Sequence, residues 1–204
     1  MNEAFSVSRR GFFAGSAALL GAATLGSPTQ AAIGDQALVA VAKRELGRMG
    51  SRVWLSDTVG IADFSRPSYE PRFFIVDMVS GKVRPYLVAH GSGSDPDHTA
   101  MLQSFSNDFG SNSTSSGAFL THTWYNGQHG TSMRLSGLDA CNSNAEPRAI
   151  VVHGAAYANP SMIVEWGKLG RSQGCFAFPQ ANLMEIIARL GPGRMIFSGQ
   201  LALS

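Results

Sequence analysis

The chain has only two cysteines in 204 residues, and one of them, Cys175, follows a glycine in GRSQGCFAFP (170–179). A cysteine in that setting is either a small buried thiol after a tight turn or a nucleophile, and the first is commoner. Nucleophilic work requires a thiolate, a base for its proton and donors aimed at the oxygen of the attacked carbonyl. His153 offers the base. It ends the β-branched run RAIVVHG (148–154), where a strand would hold the imidazole firmly at the mouth of a loop-built cleft. Gly174 allows a sharp turn that can aim the backbone N–H groups of Gln173, Gly174 and Cys175 at one point, as an oxyanion hole requires. A helix expected from about Pro179 would add its dipole to the thiolate.

Other residues carry weaker signals. Arg171 can bind a carboxylate or serve as a structural arginine. His90, His98, His122 and His129 are scattered, with no H-x-x-H or H-E-x-x-H spacing, so no metal site is expected. Trp124 and Tyr125 fit a half-buried strand better than a sugar platform. Cys141 is either a bystander or a disulfide partner for Cys175.

The elements that must position these groups are mostly strands. Asp35 is expected to cap a helix running to about Met49, with Leu38, Val41 and Leu46 as its apolar stripe. Strands follow at TVGIADF (58–64), then at RFFIVDMV and VRPYLVAH flanking the Ser80-Gly81 turn. The segment SFSNDFGSNSTSSG (104–117) is a long loop almost free of aliphatic residues. Strands resume at AFLTHTWY, TSMRLSGL and RAIVVHG, and NPSMIVEWGKLG holds one or two helical turns. PQANLMEIIARLG reads as a helix stopped by Gly191, and RMIFSGQLAL closes the chain as a strand.

Only 15% of residues are charged while 44% are hydrophobic and 23 are glycine, which fits a turn-rich β body in a single domain. At the start, paired Arg9 and Arg10 precede Phe12 and Phe13, a small-residue apolar run to Leu25, and an A-x-A-like exit at Thr29-Gln30-Ala31. That order describes a signal peptide over residues 1–31 of twin-arginine type, with 32–204 as the mature domain; the apolar run is too short and glycine-rich to span a membrane. Export to the periplasm is expected. Cleavage would remove Arg9, Arg10 and Glu3 from a total of +2 and leave +1, without the basic patch that nucleic acid requires.

The chain resembles the L,D-transpeptidases with a YkuD-type catalytic domain, whose pattern is a strand-borne His-Gly followed by Ser/Thr-x-Gly-Cys. Here these are His153-Gly154 and Ser172-Gln173-Gly174-Cys175. The resemblance runs over roughly 35–200 toward the periplasmic murein branch, through VAHGSGSD (88–95), SFSN (104–107), YNGQHGTSMRLSGLD (125–139), RAIVVHGAAY (148–157) and GRSQGC (170–175). Gln173 departs from the histidine many members carry there, and Cys141 has no counterpart in the pattern. The resemblance implies a mainly β fold, a YkuD-like sandwich or open barrel, with an N-terminal helix and a helix after the cysteine. It implies Cys175 as nucleophile, His153 as base and acid, and the Gly154 carbonyl as the group orienting the imidazole. The implied substrate is the peptidoglycan stem peptide, cross-linked 3–3 through a thioester, without metal or cofactor, by a monomer. Water as acceptor would make the same site an L,D-carboxypeptidase, and loss of turnover would leave a cell-wall binding module. Arg171, Ser172, His90, Tyr125 and His129 fall where they could line the substrate cleft.

Overall fold

The computed structural model describes Met1 and residues 30–201. The expected signal peptide, apart from its extreme ends, lies outside the described residues.

The first helix, α1 (Gln30–Met49), begins five residues before Asp35, which therefore sits inside it rather than capping it. Gln30, Ala31, Ala32 and Ile33 contain no breaker, so the helix continues backward through them. Leu38, Val41, Ala42, Glu45 and Met49 recur at helical spacing and are all buried. They cover one face of a sheet built from β1 (Thr58–Asp63), β2 (Phe73–Asp77), β3 (Val83–Tyr86), β4 (Gly117–Gly127), β5 (Gly130–Gly137), β6 (Val151–Gly154), β7 (Phe176–Phe178) and β8 (Met195–Gly199). Alternation in β2 sends Phe74 and Val76 toward α1, with Val59 and Ile61 of β1. Phe73 and Ile75 point the other way, into the larger core with Phe119, Met133, Val152, Phe176 and Phe178. A short helix, α3 (Leu183–Arg189), closes that side through Leu183, Ile186 and Ile187. Both faces are thus covered, which explains why β1 and β2 read as almost unbroken apolar runs. The remaining helix, α2 (Pro160–Trp166), lies at the surface with no buried residue.

The expectation of a sandwich or barrel needs correcting. The strands form a single mixed sheet in the order β3-β2-β1-β8-β4-β5-β6-β7, and it does not close. Pro85 removes a ladder donor from β3, which ends at Tyr86 rather than continuing to His90. The chain leaving β3 meets the opposite edge only at isolated bridges, Ala89 with Ala177 and Gly91 with Ser172. The Ser80-Gly81 hairpin is formed, with Gly81 at φ +71° and Val76 opposite Val83. Two pairings are parallel, β1 with β8 and β6 with β7. No described helix is long and apolar enough to cross a membrane.

Candidate active site

The parallel pairing of β6 and β7 builds the site. Val152 stands opposite Phe176 and His153 opposite Ala177. Continuing that register backward puts Cys175 opposite Val151, on the same face as His153, one strand across and two residues along. With strands about 4.8 Å apart and a rise of about 3.3 Å per residue, the two Cα atoms stand roughly 8 Å apart, within reach of thiol and imidazole. Ala177 beside the histidine leaves room for the ring.

The His153 side chain is buried and its Nδ1 lies 3.1 Å from its neighbour's carbonyl, Gly154 O. A carbonyl only accepts, so Nδ1 carries the proton in the neutral ring and Nε2 keeps its lone pair. The ring stacks on His129 from the β4–β5 turn, centroids 4.6 Å apart and planes 25° apart. Burial holds the imidazole below its ordinary value; the Gly154 bond works against that, and His129 adds to it. Burial pushes the Cys175 thiol up, against an opposing bond from the Val151 backbone and the charge of Arg148. The two shifts separate the groups. Each shift favours the neutral form of its group.

The turn before Cys175 is held by Ser172. Its hydroxyl donates to Cys175 O at 2.7 Å and accepts from Gly174 N at 3.2 Å. Gly174 has φ +111°, and a Cβ there would stand 2.7 Å from Ser113 O and 2.8 Å from Ile150 Cδ1. The expected three-donor oxyanion site is therefore reduced, because the Gly174 N–H is engaged by Ser172. The N–H groups of Gln173 and Cys175 have no hydrogen-bond partner among the described residues and stay free for an oxyanion. The Ser172 hydroxyl thus braces the turn while the residue also lines the cleft. β7 carries the chain about 10 Å beyond Cys175 before α3 begins at Leu183, so the α3 dipole, which fades within a turn, does not act on the thiol.

Cys175, His153, His129, Arg171, Ser172 and Gln173 line one cleft of about 600 Å³, together with Arg148, Tyr157 and the 109–112 segment of the long loop. Arg171 is tethered by one nitrogen to the carbonyls of Asp95 and Pro96, 3.1 Å away in the second case, and its other donors have no partner among the described residues. Two expected lining residues are elsewhere. His90 is 1% exposed and its Nδ1 accepts from Arg72 Nη2 at 2.7 Å, deep in the core. Tyr125 lies opposite Ser132, itself opposite His153, so two strand spacings separate it from the histidine; Arg134 covers its ring at 4.2 Å. The residues that sequence reasoning missed are Arg148 and Tyr157. Arg148 announced itself only as the charge heading an otherwise apolar strand.

Cys141 and Cys175 are both free thiols, and Cys141 Sγ rests 3.3 Å from Ser116 O. No group of three or more His, Cys, Asp or Glu is gathered for a metal among the described residues.

A family model described as the L,D-transpeptidase catalytic domain matches residues 35–198. The chain belongs to the YkuD-type L,D-transpeptidase family. A search of curated proteins finds no match. Among solved structures, an L,D-transpeptidase from Mycobacterium smegmatis is 15% identical, over 70% of this chain and 58% of its own, at a TM-score of 0.43. An L,D-transpeptidase from Mycobacterium tuberculosis is 13% identical, over 70% and 57%, at 0.44. A Bdellovibrio bacteriovorus protein is 10% identical, over 71% and 48%, also at 0.44. This chain thus spans less than two thirds of the length of each.

Proposed function

We propose that this L,D-transpeptidase family member cross-links peptidoglycan stem peptides through a thioester on Cys175. The observation that carries the reading is the Nδ1–Gly154 O contact, which leaves His153 Nε2 as a base facing the cleft that holds the thiol. In the first half-reaction, Nε2 takes the Sγ proton as sulfur attacks the carbonyl of the third, L-configured stem residue. The oxyanion accepts from the free N–H groups of Gln173 and Cys175. Collapse breaks the amide bond, and the imidazolium returns the proton to the departing D-alanine amine, leaving the thioester. In the second half, an amine of another stem attacks the thioester while His153 takes its proton. The 3–3 amide forms, sulfur leaves, and the proton goes back to it. Arg171 offers its untethered donors to a stem carboxylate.

With each shift favouring the neutral form of its group, the site deprotonates its nucleophile only as the attack proceeds. The test is incubation of tetrapeptide muropeptides with wild type and with Cys175→Ala. D-alanine release with 3–3 dimers, abolished in the variant, is expected. Release without dimers would make the enzyme a carboxypeptidase, and no release by wild type would sink the enzymatic reading in favour of a binding module. The same reading has residues 1–31 exporting the protein through the twin-arginine route to the periplasm, where it acts as a monomer. Replacement of Arg9 and Arg10 by lysine is expected to retain it in the cytoplasm, and unchanged export would overturn that route.

A further inference from the structure

The loop at 104–116 has almost no aliphatic side chain with which to hold itself in place, yet it walls the cleft through Phe109, Gly110 and Asn112. Phe105, Asn107 and Thr114 fix parts of it, and its serines converge on a cation. Arg148 Nη1 donates to Ser106 O at 2.9 Å and Ser115 Oγ at 2.8 Å, and Nη2 donates to Ser113 O at 2.7 Å and Ser111 Oγ at 3.2 Å. The same Nη2 lies 3.3 Å from where a Cβ on Gly174 would stand, and Ser113 O packs on that position from the loop side. Arg148 therefore wedges between the loop and the turn that carries the thiol. The next residue, Ala149, turns at φ +56°, and its carbonyl lies 3.6 Å from Cys175 Sγ.

The chemistry of this cage differs from that of a salt bridge. All four acceptors are neutral oxygens, so they satisfy the guanidinium donors without cancelling its charge. Asp108 is the carboxylate that acts on it, and Cys175 is the other group. Against the thiol stand also His153 from β6, Tyr157 just after it, His129 from the β4–β5 turn and Arg171 from the segment before the turn. Arg171 is turned toward Asp95 and Pro96, and His153 must stay neutral to act as base. That leaves Arg148 as the fixed positive charge next to the nascent thiolate.

We propose that Arg148 is the positioning residue through which the serine-rich loop controls the nucleophile. It seats the loop against Gly174 while its uncancelled charge favours the thiolate formed when Sγ gives its proton to His153 Nε2. A loop detached from Arg148 lets the guanidinium swing away and leaves Cys175 a poor nucleophile. This deepens the transpeptidase reading and rests on it for the role of Cys175, but thiol alkylation tests it without any cell-wall substrate.

The experiment follows iodoacetamide alkylation of Cys175 against pH in the full-length Cys141→Ser protein, with hydrogen exchange of residues 104–116 measured alongside. Arg148→Met is expected to move the alkylation midpoint about one unit upward, a roughly tenfold slower reaction near neutral pH, and to speed exchange in the loop. Arg148→Lys restores the charge without the forked clamp, so it should recover most of the alkylation rate while the loop still exchanges fast. Paired Ser111→Ala and Ser115→Ala changes remove half the clamp and should slow alkylation with the arginine intact. An unmoved midpoint in Arg148→Met would overturn the proposal, whatever the loop does. If the methionine variant is unfolded, the lysine variant decides: a midpoint lying about one unit or more above that of the folded wild type overturns it. Unchanged alkylation in the serine variants, with a loosened loop, would refute control by the loop. Absent D-alanine release with these shifts intact would count against the transpeptidase reading alone.

Discussion

Replacing Gly174 with alanine tests whether the turn geometry is what makes Cys175 useful. At φ +111° an L side chain is strained, which costs about 1–2 kcal/mol for occupying the wrong half of φ space. The added methyl would also sit 2.7 Å from Ser113 O and 2.8 Å from Ile150 Cδ1, closer than carbon approaches either atom. Ile150 can adjust, but Ser113 O is backbone held by Arg148, so the turn or the loop must move; overpacking of this kind costs about 1–3 kcal/mol more. The total, roughly 2–5 kcal/mol, corresponds to a fall in Tm of about 5–15 °C for a domain of this size. The matched control is Gly81→Ala, at φ +71° with nothing within 4 Å, where strain acts alone and the loss is about 1–2 kcal/mol. Thermal unfolding of both variants gives the comparison, and alkylation of Cys175 reports whether the surviving fold still presents the thiol. Gly174→Ala is expected to be the less stable and to alkylate more slowly. Equal stability of the two variants, with wild-type alkylation in Gly174→Ala, would refute the claim that close approach at Gly174 shapes the site.

The remaining predictions concern charge. Burial raises the Cys175 thiol, so its alkylation midpoint in the Cys141→Ser protein should lie above that of the urea-unfolded chain; a lower midpoint would mean a resting ion pair. By linkage, the stability tied to that thiol is complete below the unfolded thiol value and is lost as pH rises through the folded one, so Cys175→Ser should flatten the alkaline fall in Tm. His129 depresses His153, so His129→Ala should raise the imidazole and move the acid limb of kcat/KM to higher pH; an unmoved limb would deny the coupling. Arg72 is fully buried and donates to Val88 O, Arg66 O and His90 Nδ1, so Arg72→Met strands three acceptors and should cost about 3 kcal/mol or more in urea unfolding; a loss below about 1 would refute it. Arg48 holds the Asp139 carboxyl below its usual range, so its stabilisation is present above the unfolded value of about 3.9 and disappears as pH falls through the lower folded value. Asp139→Asn should therefore unfold with a shallower acid limb than wild type.

How much of this was legible in the sequence depended on how far each residue's role reaches. His153 and Gly154 declare themselves because strand, glycine and tautomer-fixing carbonyl are consecutive, so RAIVVHG contains its own geometry. Gly174 and Cys175 do so for the same local reason. Ser172 is two residues from Gly174, yet its hydroxyl takes the Gly174 N–H out of the oxyanion site, because a short polar side chain beside a turn competes for backbone donors. His90 misleads in the opposite way: it sits in a segment resembling the family, but its partner Arg72, just before β2, draws it into the core. Tyr125 fails by register alone, since only the pairing of β4, β5 and β6 shows that it stands two strands from His153. Arg148 is the sharpest case. Nothing within five residues explains a charge at the head of an apolar strand, because all four of its acceptors lie more than thirty residues away in a loop whose composition predicts no structure. The loop and the arginine each look unfinished alone, and each supplies what the other lacks: the serines offer neutral acceptors, and the arginine offers the donors that gather them. Two mutually incomplete signals that meet beside the nucleophile place Arg148 and the loop in the same functional unit as Cys175.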